Sequence, residues 1–152
     1  MNANATILVV DDEEVVRRSH SRVLEGEHCQ VEAVGDGEQA LRAMETQPYD
    51  VVLLDLRMPG IDGMSLLKTL KARWPDSEVV VITGYPSVDT AKEAIRLGAC
   101  DYLAKPLAPG EVIAAANSAM EQKHWTLHRD DEGVRVAGDS RGAGTLRTRV
   151  TH

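Results

Sequence analysis

Five short segments with the composition of strands recur along the chain, and helical segments separate them. Residues 7–10, 51–54, 79–82 and 102–104 are continuously or almost continuously apolar, and residues 31–34 alternate apolar with polar side chains. Short runs rich in β-branched residues are typical of strands buried on both faces of a sheet, whereas alternation suits a strand at an edge. The pattern therefore predicts four buried strands and one edge strand.

The segments between these strands carry apolar residues at helical spacing. Asp36, Asp62 and Ser87 stand at the starts of three of them, where a short polar side chain caps free backbone N–H groups. Pro109 lies where a first-turn proline belongs. The first helix is predicted from residues that recur at helical spacing, which are Val15, Val16, Ser19 and Val23.

Strands that alternate with helices predict a parallel sheet with helices on both faces, and right-handed crossovers leave few topologies. The predicted fold class is α/β, a flavodoxin-like (βα)5 doubly wound parallel sheet with strand order 2-1-3-4-5, an order matched to known proteins of this class. We place one domain at residues 1–125 and interpret residues 126–152, which lose hydrophobic periodicity, as a mostly disordered tail with no effector domain. The chain is then either a stand-alone domain or a fragment of a longer protein.

Composition disfavours several classes of protein. The formal net charge of −7 argues against a nucleic-acid coat, and we expect no direct DNA binding. No apolar run approaches the ~18 residues of a membrane-spanning helix, and the N-terminus lacks the pattern of a secretory signal. Two cysteines, Cys29 and Cys100, do not make a disulfide framework. We therefore expect a cytoplasmic protein without membrane association.

Polar side chains follow four of the predicted strands at their carboxyl ends. Asp11 and Asp12 follow the first strand, Asp55 the third, Thr83 the fourth and Lys105 the fifth. Ligands of such sheets bind at this edge, and the first and third strands are neighbours in the proposed order, so the three aspartates should converge. Clustered carboxylates oppose one another's ionisation, and Mg²⁺ prefers oxygen ligands. The set predicts a magnesium-dependent phosphoryl-transfer site with a carboxylate nucleophile, a hydroxyl and an ammonium.

Each of these residues taken singly has an ordinary structural interpretation. Asp11 or Asp12 would serve as a helix N-cap, and Glu13 with Glu14 would form a favourable acidic first turn. Lys105 alone would be a solvated surface side chain. The combination of suitable groups at four strand ends favours a functional site.

The motifs that contain these residues resemble the receiver domain of bacterial two-component response regulators. The resemblance covers residues 6–120, and its most specific strings are residues 7–13, 53–63, 81–84 and 98–106. It implies that Asp55 is the phosphoacceptor. It also implies a Mg²⁺ site formed by Asp11, Asp12, Asp55 and the backbone carbonyl of Arg57.

The resemblance further assigns roles to residues near the last two strands. Thr83 and Lys105 would contact the phosphoryl group. Thr83 and Tyr102 would form the switch pair, in which the hydroxyl moves toward the phosphate and the ring turns inward. The peptide bond between Lys105 and Pro106 is expected to be cis, an isomer largely confined to proline.

The function implied is that of a signalling switch in a phosphorelay rather than an enzyme. A sensor histidine kinase or a phosphotransfer protein would donate the phosphoryl group, and output would pass to a downstream protein target through protein contacts. A homodimer through the fourth helix, fifth strand and fifth helix is one form such contacts take. The family tunes self-dephosphorylation at the positions of Arg57 and Tyr85, and these large side chains predict a slow reaction.

Two alternatives compete with this interpretation. Haloacid-dehalogenase-like phosphatases use a similar set of groups around Mg²⁺, but they need an acidic residue two positions after the nucleophile, where this chain has Arg57. A dinucleotide-binding protein is suggested by the G-x-G-x-x-A spacing of residues 35–40. That match leaves the polar residues of the other strand ends unexplained, and a glycine turn with an Asp36 N-cap accounts for it better.

Overall fold

The computed structural model describes residues 5–27, 29–58 and 60–131. The strands are β1 (Thr6–Val10), β2 (Gln30–Val34), β3 (Val51–Asp55), β4 (Glu78–Thr83) and β5 (Asp101–Ala104). The helices are α1 (Glu14–Glu25), α2 (Gly37–Thr46), α3 (Gly63–Arg73), α4 (Val88–Arg96) and α5 (Pro109–Asp131).

All five strands pair in parallel, in the order β2-β1-β3-β4-β5. The predicted fold class and strand order are therefore confirmed. Strands β3 and β4 are buried along their whole length, and β1 along nearly all of it, whereas β2 is largely exposed up to its last residue. The apolar prediction for the fifth strand was too strong, because β5 lies at the second edge of the sheet and is only partly buried.

Alternate residues of the central strands enter two separate cores. On one face, Leu8 and Val10 of β1 pack in a cluster with side chains from α2, α3 and α4, such as Met44 and Leu66. On the other face, Ile7 and Val9 pack with residues of α1 and α5. Both faces of the sheet are thus covered, which leaves its carboxyl edge as the surface where polar side chains gather.

The helix starts follow the predicted capping pattern. Asp36 accepts a hydrogen bond from the backbone N–H of Gln39, Asp62 from that of Ser65, and Ser87 from that of Thr90. These bonds satisfy N–H groups that have no partner within the helix. The side chains at the three caps thereby fix where the segments leaving the sheet edge turn into helices.

The buried residues of α1 are not the residues whose spacing predicted the helix. His20 and Leu24 are buried, whereas Val15 is 80% exposed. At about 100° per residue, Val15 lies about 140° around the helix from His20, while Val16 and Val23 flank the buried stripe and are half-buried. The spacing therefore predicted the helix correctly, and the stripe that packs on the sheet is centred on His20 and Leu24.

An ion pair fixes α5 to the amino edge of the sheet. Lys123 Nζ lies 3.0 Å from Asp50 Oδ1, and Asp50 Oδ2 accepts the backbone N–H of Thr6 at 2.9 Å. Burial on its own raises the pKa of Asp50, but the Thr6 N–H and the Lys123 ammonium outweigh it and lower that pKa. This pair anchors the helix shortly before its last turns.

Helix α5 continues past residue 125, where the sequence placed the end of the domain, and reaches Asp131. The rest of the predicted tail, residues 132–152, lies outside the described residues. Cys29 and Cys100 are not joined by a disulfide. Within the described residues, no helix combines the length and the apolar character that crossing a bilayer requires.

Candidate functional site

Three aspartates converge at the carboxyl edge of the sheet, as the sequence predicted. β1 and β3 are neighbours, with Val10 level with Leu54, so the next residues, Asp11 and Asp55, come to the same height. Asp12 adds a third carboxylate, and one oxygen from each of the three lies within 4.8 Å of the others. Asp11 and Asp55 are buried and Asp12 is exposed, so the cluster opens to solvent on one side.

Lys105 brings a positive charge into this cluster from the end of β5. Its Nζ lies 2.8 Å from Asp11 Oδ2 and 3.1 Å from Asp55 Oδ2. Burial would lower the pKa of Lys105, but the hydrogen bonds and charges of Asp11 and Asp55 outweigh it and raise that pKa above its usual value. The backbone N–H of Lys105 donates to the carbonyl of Thr83, and the bond to Pro106 is cis, as expected.

The carboxylate of Asp55 is held from two sides. Oδ2 faces Lys105, and Oδ1 accepts the backbone N–H of Arg57 at 3.1 Å. Burial is the largest influence on the pKa of Asp55 and raises it, and the charge of Asp11 adds to this, although the hydrogen bonds from Arg57 and Lys105 oppose it. Burial and the charge of Asp11 therefore disfavour the ionised form of Asp55, and an additional cation would favour it.

The loop after Asp55 is fixed by a close approach to the start of α3. A Cβ atom at Gly63 would lie 2.5 Å from the backbone of Leu56, which no ordinary contact permits. Glycine at this position lets the helix start pack directly on the segment that carries the phosphoacceptor candidate. The positions of Asp55 and Arg57 are thus set by the backbone.

Thr83 is buried at the end of β4, between β3 and β5 in the sheet. Its hydroxyl oxygen accepts the backbone N–H of Tyr85 at 3.1 Å, and its side chain stands on the strand next to Asp55. A hydroxyl in this position remains able to donate to an anion bound at the sheet edge.

The side chain of Tyr102 is bonded to the first turn of α4. Its hydroxyl lies 2.6 Å from Thr90 Oγ1 and accepts the backbone N–H of Ser87 at 3.2 Å. Thr90 also lies 2.8 Å from the Ser87 hydroxyl, so three hydroxyl groups share one network. Sequence reasoning identified Tyr102 but missed Thr90, because nothing in the motif indicates which α4 residue meets the ring.

Two large side chains stack beside the site. The guanidinium carbon of Arg57 lies 4.0 Å from the centroid of the Tyr85 ring, a cation–π contact that joins the loops after β3 and β4. Their bulk was anticipated from the sequence, whereas their mutual contact was not. Arg57 follows Asp55 by two positions and Tyr85 follows Thr83 by two positions. This shared spacing is the signal that could have suggested their contact.

Glu13 has a different role from the one its sequence context suggested. It occupies the N-cap of α1, but its side chain makes no capping hydrogen bond. Instead Glu13 Oε1 lies 3.3 Å from Lys105 Nζ, across 92 positions of sequence. A side chain interpreted as half of an acidic first turn therefore belongs to the site.

The donor set fits a hard divalent cation. Asp11, Asp12 and Asp55 offer carboxylate oxygens only, and among the described residues no other group of at least three metal-ligating side chains is brought together in this way. Mg²⁺ is typically bound by one or two carboxylates with several waters retained, and the exposed Asp12 leaves room for water. The chemistry of the three aspartates is thus compatible with the predicted metal.

The structure also bears on the two alternatives. The backbone N–H of Gly35 donates to the side chain of Gln39 at 2.8 Å, and that of Gln39 donates to Asp36. These two bonds around the Asp36 N-cap make residues 35–40 an ordinary capped helix start. The position that a phosphatase of the haloacid-dehalogenase type would fill with an acid carries Arg57, whose guanidinium stacks on Tyr85.

The comparisons with known proteins point to a single family. The family model of the response regulator receiver domain matches residues 7–117. The alginate biosynthesis transcriptional regulatory protein AlgB of Pseudomonas aeruginosa is 34% identical over 135 residues, which cover 88% of this chain and 30% of that protein. This chain therefore spans about 30% of the length of that relative.

Solved structures agree. NtrX from Brucella abortus matches with a TM-score of 0.80 and 34% identity, over 84% of this chain and 29% of that one. The beryllofluoride-activated NtrC4 receiver domain dimer matches with a TM-score of 0.74 and 36% identity, over 78% of this chain and 98% of that one. With its family match, its parallel five-stranded sheet and its relatives in agreement, the chain belongs to the receiver domains of two-component response regulators, which act as phosphoacceptor switches.

Proposed function

We propose that Asp55 is the phosphoacceptor of this receiver domain and that the reaction requires Mg²⁺. The observation that carries this proposal is the surroundings of Asp55, a buried carboxylate 3.1 Å from the Lys105 ammonium and within a cluster of three aspartates. Asp62, an exposed N-cap of α3, has no comparable surroundings. Asp11 is also buried and contacts Lys105, so the choice of Asp55 over Asp11 is supported by its place after β3, in the receiver-like motif at residues 53–63.

The transfer is a displacement at phosphorus. An ionised Asp55 oxygen forms a bond to the phosphorus of a phosphohistidine, the P–N bond breaks, and the electron pair stays on the histidine nitrogen, which takes a proton. Lys105 and Thr83 donate hydrogen bonds to the phosphoryl oxygens. Asp11, Asp12, Asp55 and the Arg57 carbonyl would hold Mg²⁺, which would supply positive charge to the same oxygens.

The chain acts as the substrate of this transfer and not as an enzyme on a separate substrate. It supports its own phosphorylation and a slow loss of the phosphoryl group. The side chains of Arg57 and Tyr85 follow Asp55 and Thr83 by two positions and stack on each other, and we propose that their bulk hinders the in-line approach of water. The acyl phosphate should therefore persist long enough to carry a signal.

The switch is proposed to run through Thr83 and Tyr102. The Thr83 hydroxyl turns toward the phosphoryl group and gives up the N–H of Tyr85, and the Tyr102 ring moves inward toward the space that opens. In the present structure Tyr102 is bonded to Thr90 and Ser87. Inward movement must break these bonds, so it also changes the first turn of α4.

The surface around the site supports docking of a phosphodonor protein. Val15, Tyr85 and Val88 are large apolar residues that are strongly exposed, and each lies a few residues after a site residue. Exposed apolar side chains close in sequence to the acidic site suit docking of a histidine kinase or a phosphotransfer protein, whose phosphohistidine would reach Asp55. The reduced state of Cys29 and Cys100, which form no disulfide with each other, is compatible with the reducing cytoplasm expected from the sequence.

Output is proposed to pass through protein contacts of α4, β5 and α5, to a downstream protein target or to a second copy of the chain. The NtrC4 relative is described as an activated receiver dimer, and here the exposed face of α4 carries Val88, Ala91 and Ile95. AlgB is described as a transcriptional regulatory protein, and the part of it that matches this chain is about 30% of its length. The expectation of no direct DNA binding applies to the receiver residues and not to whole relatives of this kind.

Intact-mass spectrometry after incubation with acetyl phosphate and Mg²⁺ tests the proposal. The wild-type chain should gain one phosphoryl group, and Asp55→Asn should gain none. Asp62→Asn is the matched control, because asparagine caps helices as well as aspartate does and the site is untouched. An adduct that persists in Asp55→Asn would refute the assignment.

A further inference from the structure

In the unphosphorylated site, the Lys105 ammonium faces as many carboxylates as it has N–H groups. It carries three N–H groups, and three carboxylates surround it. The distances from Nζ are 2.8 Å to Asp11, 3.1 Å to Asp55 and 3.3 Å to Glu13. A phosphoryl group on Asp55 takes over the contact that Asp55 makes, and a second phosphoryl oxygen can bind Lys105 only in place of Asp11 or Glu13.

The three partners differ in how easily they can leave. The side chain of Asp11 is 5% exposed, so its carboxylate would lose its main counter-charge inside the protein. The contact of Asp55 passes to its own phosphoryl group. The side chain of Glu13 is 63% exposed and makes the longest of the three contacts, so water can replace Lys105 around it at little cost.

The capping arrangement of α1 leaves the Glu13 side chain available to Lys105. Glu13 occupies the N-cap position, but glutamate is not among the residues whose side chains cap well, and its carboxylate makes no capping bond. Its backbone N–H donates to Asp11 Oδ1 at 2.9 Å, which holds the residue next to the site. The helix start is therefore built around Asp11, and the carboxylate of Glu13 is left for Lys105.

We propose that Glu13 is a positioning residue that holds Lys105 in the unphosphorylated state and releases it when Asp55 receives the phosphoryl group. This inference rests on the proposed function of Asp55. Glu13 restrains the reaction in two ways, since it occupies a donor that the phosphoryl oxygens need and it adds a negative charge at the mouth of a pocket that must admit an anion. Its neutral isostere should therefore be phosphorylated faster.

The test compares Glu13→Gln with Glu14→Gln. Both substitutions remove one negative charge from neighbouring positions, but Glu14 is 69% exposed and pairs with Arg18, not with Lys105. The rate of Asp55 phosphorylation by acetyl phosphate in Mg²⁺ is followed by intact mass. We expect about a two- to fivefold gain in Glu13→Gln, the factor that corresponds to loss of one exposed ion pair, and little change in Glu14→Gln.

Beryllofluoride, a stable analogue of the phosphoryl group, gives an equilibrium readout of the same effect. Its affinity should rise by a similar factor in Glu13→Gln, with the melting temperature of the free protein nearly unchanged. A Glu13→Gln chain that matches Glu14→Gln in rate and in affinity, or that reacts more slowly than the wild type, would overturn the role of Glu13. Absence of any adduct on the wild-type chain would instead overturn the proposed function of Asp55, and the role of Glu13 with it.

Discussion

Replacing Lys105 by methionine removes an ammonium that faces three carboxylates and leaves their negative charges uncompensated. The side chain is only 16% exposed, and two of its partners are buried. Removing one partner of a buried pair typically costs 3–5 kcal/mol, and the exposed partner Glu13 adds little. We expect a loss of about 3 kcal/mol in the free energy of unfolding without Mg²⁺. For a chain of this length that corresponds to a fall of roughly 9 °C in melting temperature.

Lys123→Met is the matched control for this prediction. Lys123 is 18% exposed, close to the value for Lys105, but it pairs with a single carboxylate, that of Asp50. Its loss should cost about 1 kcal/mol. Mg²⁺ replaces the missing charge only at the site, so it should restore much of the stability of Lys105→Met and should not restore the loss in Lys123→Met.

The pH dependence of Lys105→Met has a defined sign. Without the ammonium, the pKa of Asp55 in the folded chain should rise further above its value in the unfolded chain. The folded state then binds more protons, so the stability lost relative to the wild type grows as the pH rises through the acidic range to neutrality. Thermal unfolding of both variants at several pH values, with and without Mg²⁺, measures this. The reasoning fails if Lys105→Met is as stable as Lys123→Met, or if Mg²⁺ stabilises the two equally.

Three further predictions follow from the same site. Millimolar Mg²⁺ should raise the melting temperature of the wild type, and Asp12→Asn should weaken that response; an equal shift in the variant would count against Asp12 as a ligand. Because the pKa of Asp55 is raised, Asp55→Asn should be more stable than the wild type at pH 7 without Mg²⁺, and unfolding curves should show the gap closing as the pH falls toward 4; a gap that persists there would refute its electrostatic origin. Arg57→Ala and Tyr85→Ala should each shorten the lifetime of the acyl phosphate, with the double variant losing less than the sum because the two side chains stack; an unchanged decay rate in the double variant would refute the shielding.

The sheet could be predicted from the sequence because most of its strands are short, continuous apolar runs, which do not show the periodicity of a helix. Strand β3, for example, is buried at every position, as the run at 51–54 predicted. The convergence of Asp11 and Asp55 followed in turn, since parallel neighbours end at one edge. The exposure of Val15 was missed because helical spacing indicates a helix without fixing which stripe packs on the sheet.

The contacts that the sequence could not supply join residues far apart in the chain. The pairs Glu13–Lys105 and Thr90–Tyr102 each depend on side-chain rotamers and on how loops leave the sheet. Local interpretation favoured a first-turn charge for Glu13 and did not consider Thr90 at all. Such contacts refine a site whose principal residues were identifiable from the strand ends.

The most direct test of the central claim is to locate the phosphoryl group chemically. Borohydride reduces an aspartyl phosphate to homoserine, and peptide mass mapping then identifies the modified position. After treatment with acetyl phosphate and Mg²⁺, homoserine should be found at position 55. Homoserine at position 11, 12 or 62 with none at 55 would contradict the assignment of Asp55 as the phosphoacceptor.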